Sequence, residues 1–209
     1  MAKLLHIAAS PRHGRSHSLQ VASAFIEAYR HAHPGDHVET LDLWTYKLPS
    51  FDGETISAKY AVLSGDVHTP VQADAWSAVR QAADGFKAAD KLLLSVPMWN
   101  FGVPYVLKHY IDVITQPGLT FAWSPERGFK GLVTGRPAVV VSASAGAYHG
   151  GSGAEAADFE RPYLEHWLRF IGFTDIRTVT IAPTMADAAA LRAAQDAASR
   201  EAAALAKGF

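Results

Sequence analysis

Residues 91–104 read KLLLSVPMWNFGVP, and this stretch decides the fold class of the chain. Its first part, 91–96, is a short apolar run that stops at Pro97, a pattern typical of a strand buried on both faces of a parallel sheet. Residues 103–114 then carry apolar side chains at helical spacing, until a Pro-Gly pair ends the helix. A buried strand, a loop and a helix in this order indicate an α/β protein.

The same alternation runs through the whole chain. Four further apolar runs have the character of strands, at residues 4–9, 38–43, 138–142 and 176–181. Helical spacing predicts four further helices, at 16–31, 70–89, 159–170 and 187–206, the last with Thr184 and Asp187 placed as a capping box. We expect residues 44–69 to form a loop with at most one short helix. The alternation predicts one domain, residues 1–209, with a five-stranded parallel sheet of order 2-1-3-4-5 and helices on both faces, a three-layer sandwich.

The composition excludes several classes of function. Nineteen basic and twenty acidic side chains give a net charge of −1, which argues against a nucleic-acid partner. The chain has no cysteine, so disulfides, thiol nucleophiles and iron–sulfur clusters are excluded, and its histidines form no metal-binding motif. No apolar run approaches the ~18 residues of a membrane span, and the N-terminal residues resemble a strand more than a signal peptide. We therefore expect a cytoplasmic protein with no metal, no nucleic acid and no membrane partner.

Three loops should carry the chemistry, because ligands in this topology bind at the carboxyl ends of strands one, three and four. These loops begin at Ser10, Pro97 and Ala143. The second loop presents aromatic and amide side chains between two prolines, which suits a flat, amphipathic ring. The alternative is an aromatic loop that packs on a neighbouring helix. The third loop has almost no side-chain bulk before Tyr148, so its N–H groups can approach a ligand closely.

The first loop, residues 10–18, predicts a phosphate site. Its serines cluster where the N–H groups at the start of a helix are unpaired. A Walker loop would need Gly at position 9 and Lys at position 15, where the chain has Ala9 and Arg15. A dinucleotide motif G-x-G-x-x-G is also absent, which leaves a metal-free cradle for a single phosphate. The alternative is that Ser16 is only a helix cap.

Four motifs occur together along the chain: Ser10-x5-Ser16-His17-Ser18, Pro97-Met98-Trp99-Asn100-Phe101, Leu107-Lys108-x3-Asp112 and Gly131-Leu132-Val133-Thr134-Gly135. Together they resemble the FMN-dependent NADH:quinone oxidoreductase and azoreductase family. The likeness covers essentially the whole chain, and the second motif is the specific one. It implies a flavodoxin-like fold, one FMN per subunit, and NADH or NADPH as electron donor. Quinones and aromatic azo compounds are the implied acceptors.

The resemblance also implies which residues hold the cofactor. The first loop would bind the FMN phosphate through Ser10, Ser16, His17 and Ser18. The second loop would lie along the isoalloxazine through Met98, Trp99, Asn100 and Phe101. The third loop would cap the pyrimidine edge through Ala143, Ser144, Ala145 and Gly146. The family is homodimeric, and this implies that Phe121, Trp123 and Phe170 line the open face of the flavin.

The sequence departs from the family pattern in two places. The aromatic residue after Met98 is commonly Tyr and is Trp here, which still stacks on a ring. The third loop lacks the arginine that the family commonly has, so the acceptor preference is open.

The implied activity is two-electron, ping-pong transfer of hydride from NAD(P)H through flavin N5 to the acceptor, with no protein acid or base of fixed identity. Third-loop N–H groups would stabilise negative charge near N1 of the reduced flavin. Tyr148 and His149 are candidate proton donors, and the alternative is that both are ordinary loop residues.

Two other functions compete with this interpretation. A flavodoxin-like electron carrier has the same fold, although such carriers are usually strongly acidic and this chain is nearly neutral. An α/β serine hydrolase would use Ser144 as nucleophile, because residues 142–146 nearly match the motif G-x-S-x-G. The first glycine of that motif is missing here.

Overall fold

The computed structural model describes residues 1–209 and contains two sheets. The strands are β1 (Lys3–Ala8), β2 (His37–Asp42), β3 (Lys91–Pro97), β4 (Phe121–Ser124), β5 (Gly128–Gly131), β6 (Pro137–Ala143) and β7 (Asp175–Ile181). The main sheet is parallel with the order β2-β1-β3-β6-β7, and β4 and β5 form a separate antiparallel pair. Because β6 and β7 are the fourth and fifth strands of the main sheet, the predicted order 2-1-3-4-5 is confirmed.

Six α-helices connect these strands. They are α1 (His17–Ala32), α2 (Gly53–Ser64), α3 (Pro70–Lys87), α4 (Tyr105–Ile114), α5 (Arg161–Ile171) and α6 (Ala188–Lys207). The segment 44–69 contains one short helix, α2, as the sequence predicts. No helix is long and apolar enough to cross a membrane.

Two layers of helices cover the two faces of the main sheet. Helices α1 and α6 pack on one face with Val139, and α3, α4 and α5 pack on the other with Val140. Successive side chains of a strand point to opposite faces, so a strand covered on both faces must be apolar at every position. This requirement explains the unbroken run of valines in β6.

Three predicted helix starts differ from the structure. Helix α4 begins at Tyr105 and not at position 103, with Pro104 as its N-cap. Helix α5 begins at Arg161 and not at position 159, because the Asp158 carboxylate accepts the N–H groups of Glu160 at 3.1 Å and Arg161 at 3.0 Å. The capping box predicted for α6 is wrong. Asp187 is itself the N-cap and accepts two helix N–H groups at 2.9 Å, whereas the N–H of Thr184 donates to the Ser144 carbonyl.

The hairpin of β4 and β5 is a feature that the sequence did not predict. Phe121 and Phe129 of the hairpin pack on Phe170 near the end of α5, with ring centroids 5.0–5.9 Å apart. Helix α4 leads the chain away from the carboxyl ends of the strands, and the hairpin precedes β6. Its base therefore lies at the amino edge of the main sheet.

Candidate active site

The first loop joins β1 to α1 and presents unpaired donors. Ser16 is the N-cap of α1, and its Oγ accepts the N–H of Leu19 at 3.5 Å. The N–H groups of His17 and Ser18 have no acceptor within the protein. These donors lie at the positive end of a 16-residue helix, which favours a bound anion.

The three serines of this loop are all buried, and they line the start of α1. Ser16 Oγ lies 3.1 Å from Ser18 Oγ, and Ser10 Oγ accepts the N–H of Arg12 at 3.4 Å. The imidazole of His17 is used elsewhere, since its Nδ1 lies 3.2 Å from Gln195 Oε1 on α6. The structure therefore brings three of the predicted side chains together, and His17 joins them through its backbone N–H.

The second loop contains a tight turn with a strained backbone. Trp99 and Gly102 exchange two backbone hydrogen bonds of 2.9 and 3.0 Å, so that Asn100 and Phe101 form the two-residue tip. Both tip residues have positive φ, 48° and 71°, the geometry of a turn that glycine or asparagine usually occupies. A phenylalanine in this conformation costs about 1–2 kcal/mol, and such strain is typical of functional sites.

A residue that the sequence analysis missed connects the first two loops. The indole N–H of Trp44 donates to the Ala9 carbonyl at 3.0 Å, just after β1. Its ring lies 5.7 Å from Trp99 and 5.5 Å from Tyr105. Trp44 comes from the segment predicted as a loop, and no periodicity marks it. Only its position directly after β2 could have indicated a place at the ligand-binding edge.

The third loop follows β6 and offers backbone donors. The N–H groups of Ala145 and Gly146 have no acceptor within the protein. The ring of Tyr148 lies over Gly146, where a Cβ would be 3.1 Å from the phenol carbon and oxygen. Ser144 is buried, and its hydroxyl donates to the Gly146 carbonyl at 2.8 Å. This hydroxyl is held by its own loop and is not paired with a histidine, which argues against the serine hydrolase.

The second and third loops lie side by side. The N–H of Met98 donates to the Ala143 carbonyl at 2.8 Å, and the ring of Phe101 meets the ring of Tyr148 edge-on at 5.9 Å. With the link through Trp44, all three loops meet at the carboxyl edge of the main sheet. The three loops are therefore neighbours, as the topology predicts, and their role in binding a ligand stays a prediction.

The three residues expected over the open face of the flavin lie elsewhere in the chain. Phe121 and Trp123 belong to the hairpin, and Phe170 packs on it. The base of this hairpin is at the amino edge, opposite to the three loops. Phe170 is half-buried, but Trp123 is 58% exposed and free to contact another molecule.

Beside the second loop, Glu160 is fully buried and neither of its carboxylate oxygens has a hydrogen-bond partner. Burial raises the pKa of Glu160 well above its ordinary value. The neighbouring Ser142 hydroxyl opposes this rise, and the charge of Asp158 adds to it. Nothing in the sequence spacing predicts this residue.

Comparisons with known proteins identify the family. A family model described as flavodoxin-like fold matches residues 2–205. The FMN-dependent NADH:quinone oxidoreductase of Nitratidesulfovibrio vulgaris strain DP4 is 51% identical over 186 residues, which are 89% of this chain and 88% of that protein. This chain belongs to the flavodoxin-like FMN-dependent NADH:quinone oxidoreductase family. A further family member, from Desulfotalea psychrophila, is 46% identical over 207 residues, or 99% of this chain and 97% of that one.

Solved azoreductase structures agree with this oxidoreductase family. The crystal structure of azoreductase from Bacillus anthracis strain Sterne has a TM-score of 0.91 and 30% identity, with both chains fully covered. The FMN-dependent NADH-azoreductase from Bacillus anthracis strain Ames Ancestor, solved in complex with FMN, has a TM-score of 0.85 and 26% identity. That match covers 99% of this chain and 100% of the azoreductase. The resemblance and the flavodoxin-like fold predicted from the sequence motifs are confirmed.

Proposed function

We propose that this chain is an FMN-dependent NADH:quinone oxidoreductase that also cleaves aromatic azo compounds reductively. The observation that carries the proposal is the convergence of three loops of different chemistry at one edge of the sheet. The hydrogen bond between Met98 and Ala143 joins two of them, and the Trp44 contacts join the first. The relatives named above carry this activity in their names.

The first loop fits a phosphate monoester. Its donors are the N–H groups of His17 and Ser18 and the hydroxyls of Ser10, Ser16 and Ser18. No carboxylate belongs to the loop, and Arg12 and Arg15 add positive charge beside it. A group with two negative charges is therefore attracted by hydrogen bonds, by the helix dipole and by the local charge.

The other two loops fit a flat ring with one polar edge. Met98, Trp99, Asn100 and Phe101 supply apolar surface and an amide along the ring. The third loop, formed by Ala143, Ser144, Ala145 and Gly146, offers the two free N–H groups of Ala145 and Gly146, with the ring of Tyr148 packed over Gly146. We propose these residues, with the phosphate-binding serines and His17, as the FMN site.

Bound FMN would supply the chemistry of taking a hydride from NADH and returning two electrons to a quinone or azo acceptor. The N–H groups of Ala145 and Gly146 are fixed before any reaction, because β6 and β7 hold the loop through Ser144 N–H donating to the Ile181 carbonyl. Fixed donors stabilise a developing negative charge without reorganisation. Tyr148 and His149 lie on the same side of this loop, around a cavity of about 10 Å³.

We further infer that the working unit is a homodimer. Phe121 and Phe170 pack together at the base of the hairpin, away from the FMN loops of their own chain, and a second copy would bring them with Trp123 to an open flavin face. The exposure of Trp123 and Phe129 leaves an aromatic surface free for that contact. Sedimentation should show a dimer at micromolar concentration, and a monomer that is fully active would contradict the inference.

Two further expectations concern the chain as a whole. We propose that residues 1–209 fold as a single domain, and one cooperative unfolding transition is the expected result. A cytoplasmic location remains a prediction from the sequence, and cell fractionation tests it.

Steady-state kinetics test the proposed function. Protein reconstituted with FMN should oxidise NADH with a quinone as acceptor, and the double-reciprocal lines should be parallel because both substrates use one site in turn. Protein freed of FMN is the control and should be inactive until FMN is restored. Intersecting lines would contradict the shared site, and lack of NADH oxidation in the reconstituted protein would contradict the function.

A further inference from the structure

Glu160 is a buried acid to which the proposed reaction assigns no role. Its side chain is fully inaccessible, and both carboxylate oxygens lack a partner. A carboxylate in such surroundings loses its hydration, and the nearby Ser142 hydroxyl compensates only in part, so burial favours the protonated form of Glu160. Because Glu160 lies next to the FMN loops, its protonation can affect the conformation of these loops.

Residues 158–161, here called the clamp segment, hold the strained turn from outside. The N–H of Phe159 donates to the carbonyl of Phe101 at 2.9 Å. Phe101 is the turn residue with φ of 71°, a conformation that its own side chain disfavours. This hydrogen bond therefore links the clamp segment to a strained part of the site's backbone.

The clamp segment itself is fixed at both sides of Phe159. The Asp158 carboxylate accepts the two N–H groups that follow Phe159, those of Glu160 and Arg161. It also lies 3.6 Å from the Arg161 guanidinium. On the inner side, the buried Glu160 carboxyl anchors the segment below the end of β6, near Ser142. Phe159 lies directly before this anchor in the chain, so it cannot stay in place when Glu160 leaves.

We propose that Glu160 is a positioning residue that must keep its proton for the clamp segment to hold the turn 99–102 in the form that binds FMN. Loss of the proton to solvent creates an unpaired buried carboxylate, which moves toward water and carries Phe159 away from Phe101. This inference rests on the proposed FMN site. It adds that FMN binding depends on the proton of Glu160, a residue outside the FMN site.

Other groups around the clamp segment also carry charge. Asp158 and Arg161 lie on the segment itself, and Tyr148 and His149 line the small cavity next to them. Ser142 on β6 is polar and does not titrate in the accessible range. An experiment must therefore remove the proton of Glu160 alone and leave these groups unchanged.

Amide hydrogen exchange of the FMN-free protein tests the clamp directly. In the wild type, the protection factor of the Phe159 amide should fall as the pH is raised across the range in which the protein stays folded. It should stay constant in Glu160→Gln and in Glu160→Leu, neither of which can ionise. Glu155→Gln removes an exposed carboxylate from the same loop and should behave as the wild type. The amide of Ile111 inside α4 should show constant protection in every variant.

The affinity for FMN supplies the second measurement. The ratio of the wild-type Kd to the Glu160→Gln Kd should rise about tenfold as the pH is raised across the same range, because a smaller share of the wild type keeps the binding-competent turn. The ratio cancels every pH effect that the two proteins share, including the titration of the FMN phosphate.

The outcomes separate this inference from the proposed function. A Phe159 protection factor with the same pH profile in the wild type and in both Glu160 variants would overturn the clamp, and so would a flat ratio of Kd values. Failure of the wild type and the variants alike to bind FMN would instead overturn the proposed function, and hydrogen exchange of the FMN-free protein would still test the clamp.

Discussion

The backbone of Gly131 lies directly against the backbone of Gly172, and this contact joins the hairpin to the end of α5. A Cβ on Gly131 would overlap the Gly172 nitrogen and the Ile171 carbonyl carbon. The contact thus requires glycine at position 131 for reasons of space alone.

Gly131→Ala is therefore expected to destabilise the fold by about 1–3 kcal/mol or more, the range for overpacking a site that cannot relax. Gly85→Ala is the matched control, since Gly85 lies exposed inside α3 with nothing within 4 Å of a Cβ. That change should stabilise the protein by about 0.5–1 kcal/mol. Urea unfolding measures both variants, and a Gly131→Ala protein as stable as the wild type would contradict the contact.

The positive φ of Phe101 predicts an unusual order of stability among its variants. Phe101→Gly should be more stable than Phe101→Ala by about 1 kcal/mol, because only glycine adopts this conformation without strain. At Phe129, an exposed strand position without positive φ, the order should be the reverse. Chemical unfolding of the four FMN-free variants decides, and an alanine variant that equals the glycine variant at position 101 would argue against the turn.

His6 gives the fold a specific sensitivity to acid. Its Nε2 lies 2.9 Å from Ser95 Oγ in the buried centre of the sheet, and Nδ1 lies 3.3 Å from Thr40 Oγ1. Burial lowers the pKa of His6 to about 4, against the opposing charge of Asp42. As the pH falls below about 6.5, the unfolded chain binds a proton before the folded protein does, so stability falls.

Between pH 6.5 and 4, protonation of His6 in the unfolded chain should therefore lower the free energy of unfolding by about 1.4 kcal/mol for each unit that the pH falls. His6→Gln should be less stable than the wild type at pH 7 and should lose less stability on acidification. His31→Gln changes an exposed histidine and should keep the wild-type profile. Equal losses in the wild type and His6→Gln between pH 7 and 5 would show that His6 does not cause the dependence.

The phosphate cradle is tested by comparing FMN with riboflavin, which lacks the phosphate. Ser16→Ala should weaken FMN binding about tenfold or more, the value of one hydrogen bond to a charged group, and leave riboflavin binding unchanged. It should also lower stability by about 1 kcal/mol through loss of the α1 cap. Ser23→Ala on the exposed side of α1 is the control and should bind both ligands as the wild type does. Equal weakening for FMN and riboflavin would place the phosphate elsewhere.

The sequence predicts the main sheet because burial on both faces leaves a direct record in it. Runs such as Val139–Val141 are apolar at every position. Their alternation with helices then implies that the strands are parallel. The site loops follow from that order, since Ser10 lies two residues after β1, and Pro97 and Ala143 are the last residues of β3 and β6. The hairpin leaves a weaker record, because its strands have four residues each and β5 contains two glycines. Pro125 and Gly128 form the turn signal that could have indicated it.

Other parts of the site depend on contacts between distant segments and have no local pattern. Trp44 joins the site because its indole N–H donates to the carbonyl of Ala9. Glu160 is buried because the start of α5 packs near the end of β6. The local sequence around Asp158, Glu160 and Arg161 predicts a charged surface exposed to solvent. The left-handed turn at Asn100 and Phe101 is equally invisible, because asparagine suggests such a conformation and phenylalanine argues against it.

A visible spectrum of the purified protein, recorded without oxygen before and after addition of NADH, tests the central claim most directly. We expect the absorption bands of bound flavin in the protein as purified or after reconstitution with FMN, and we expect these bands to disappear when NADH is added. A protein that stays colourless after reconstitution, or whose flavin bands persist with excess NADH, would contradict it.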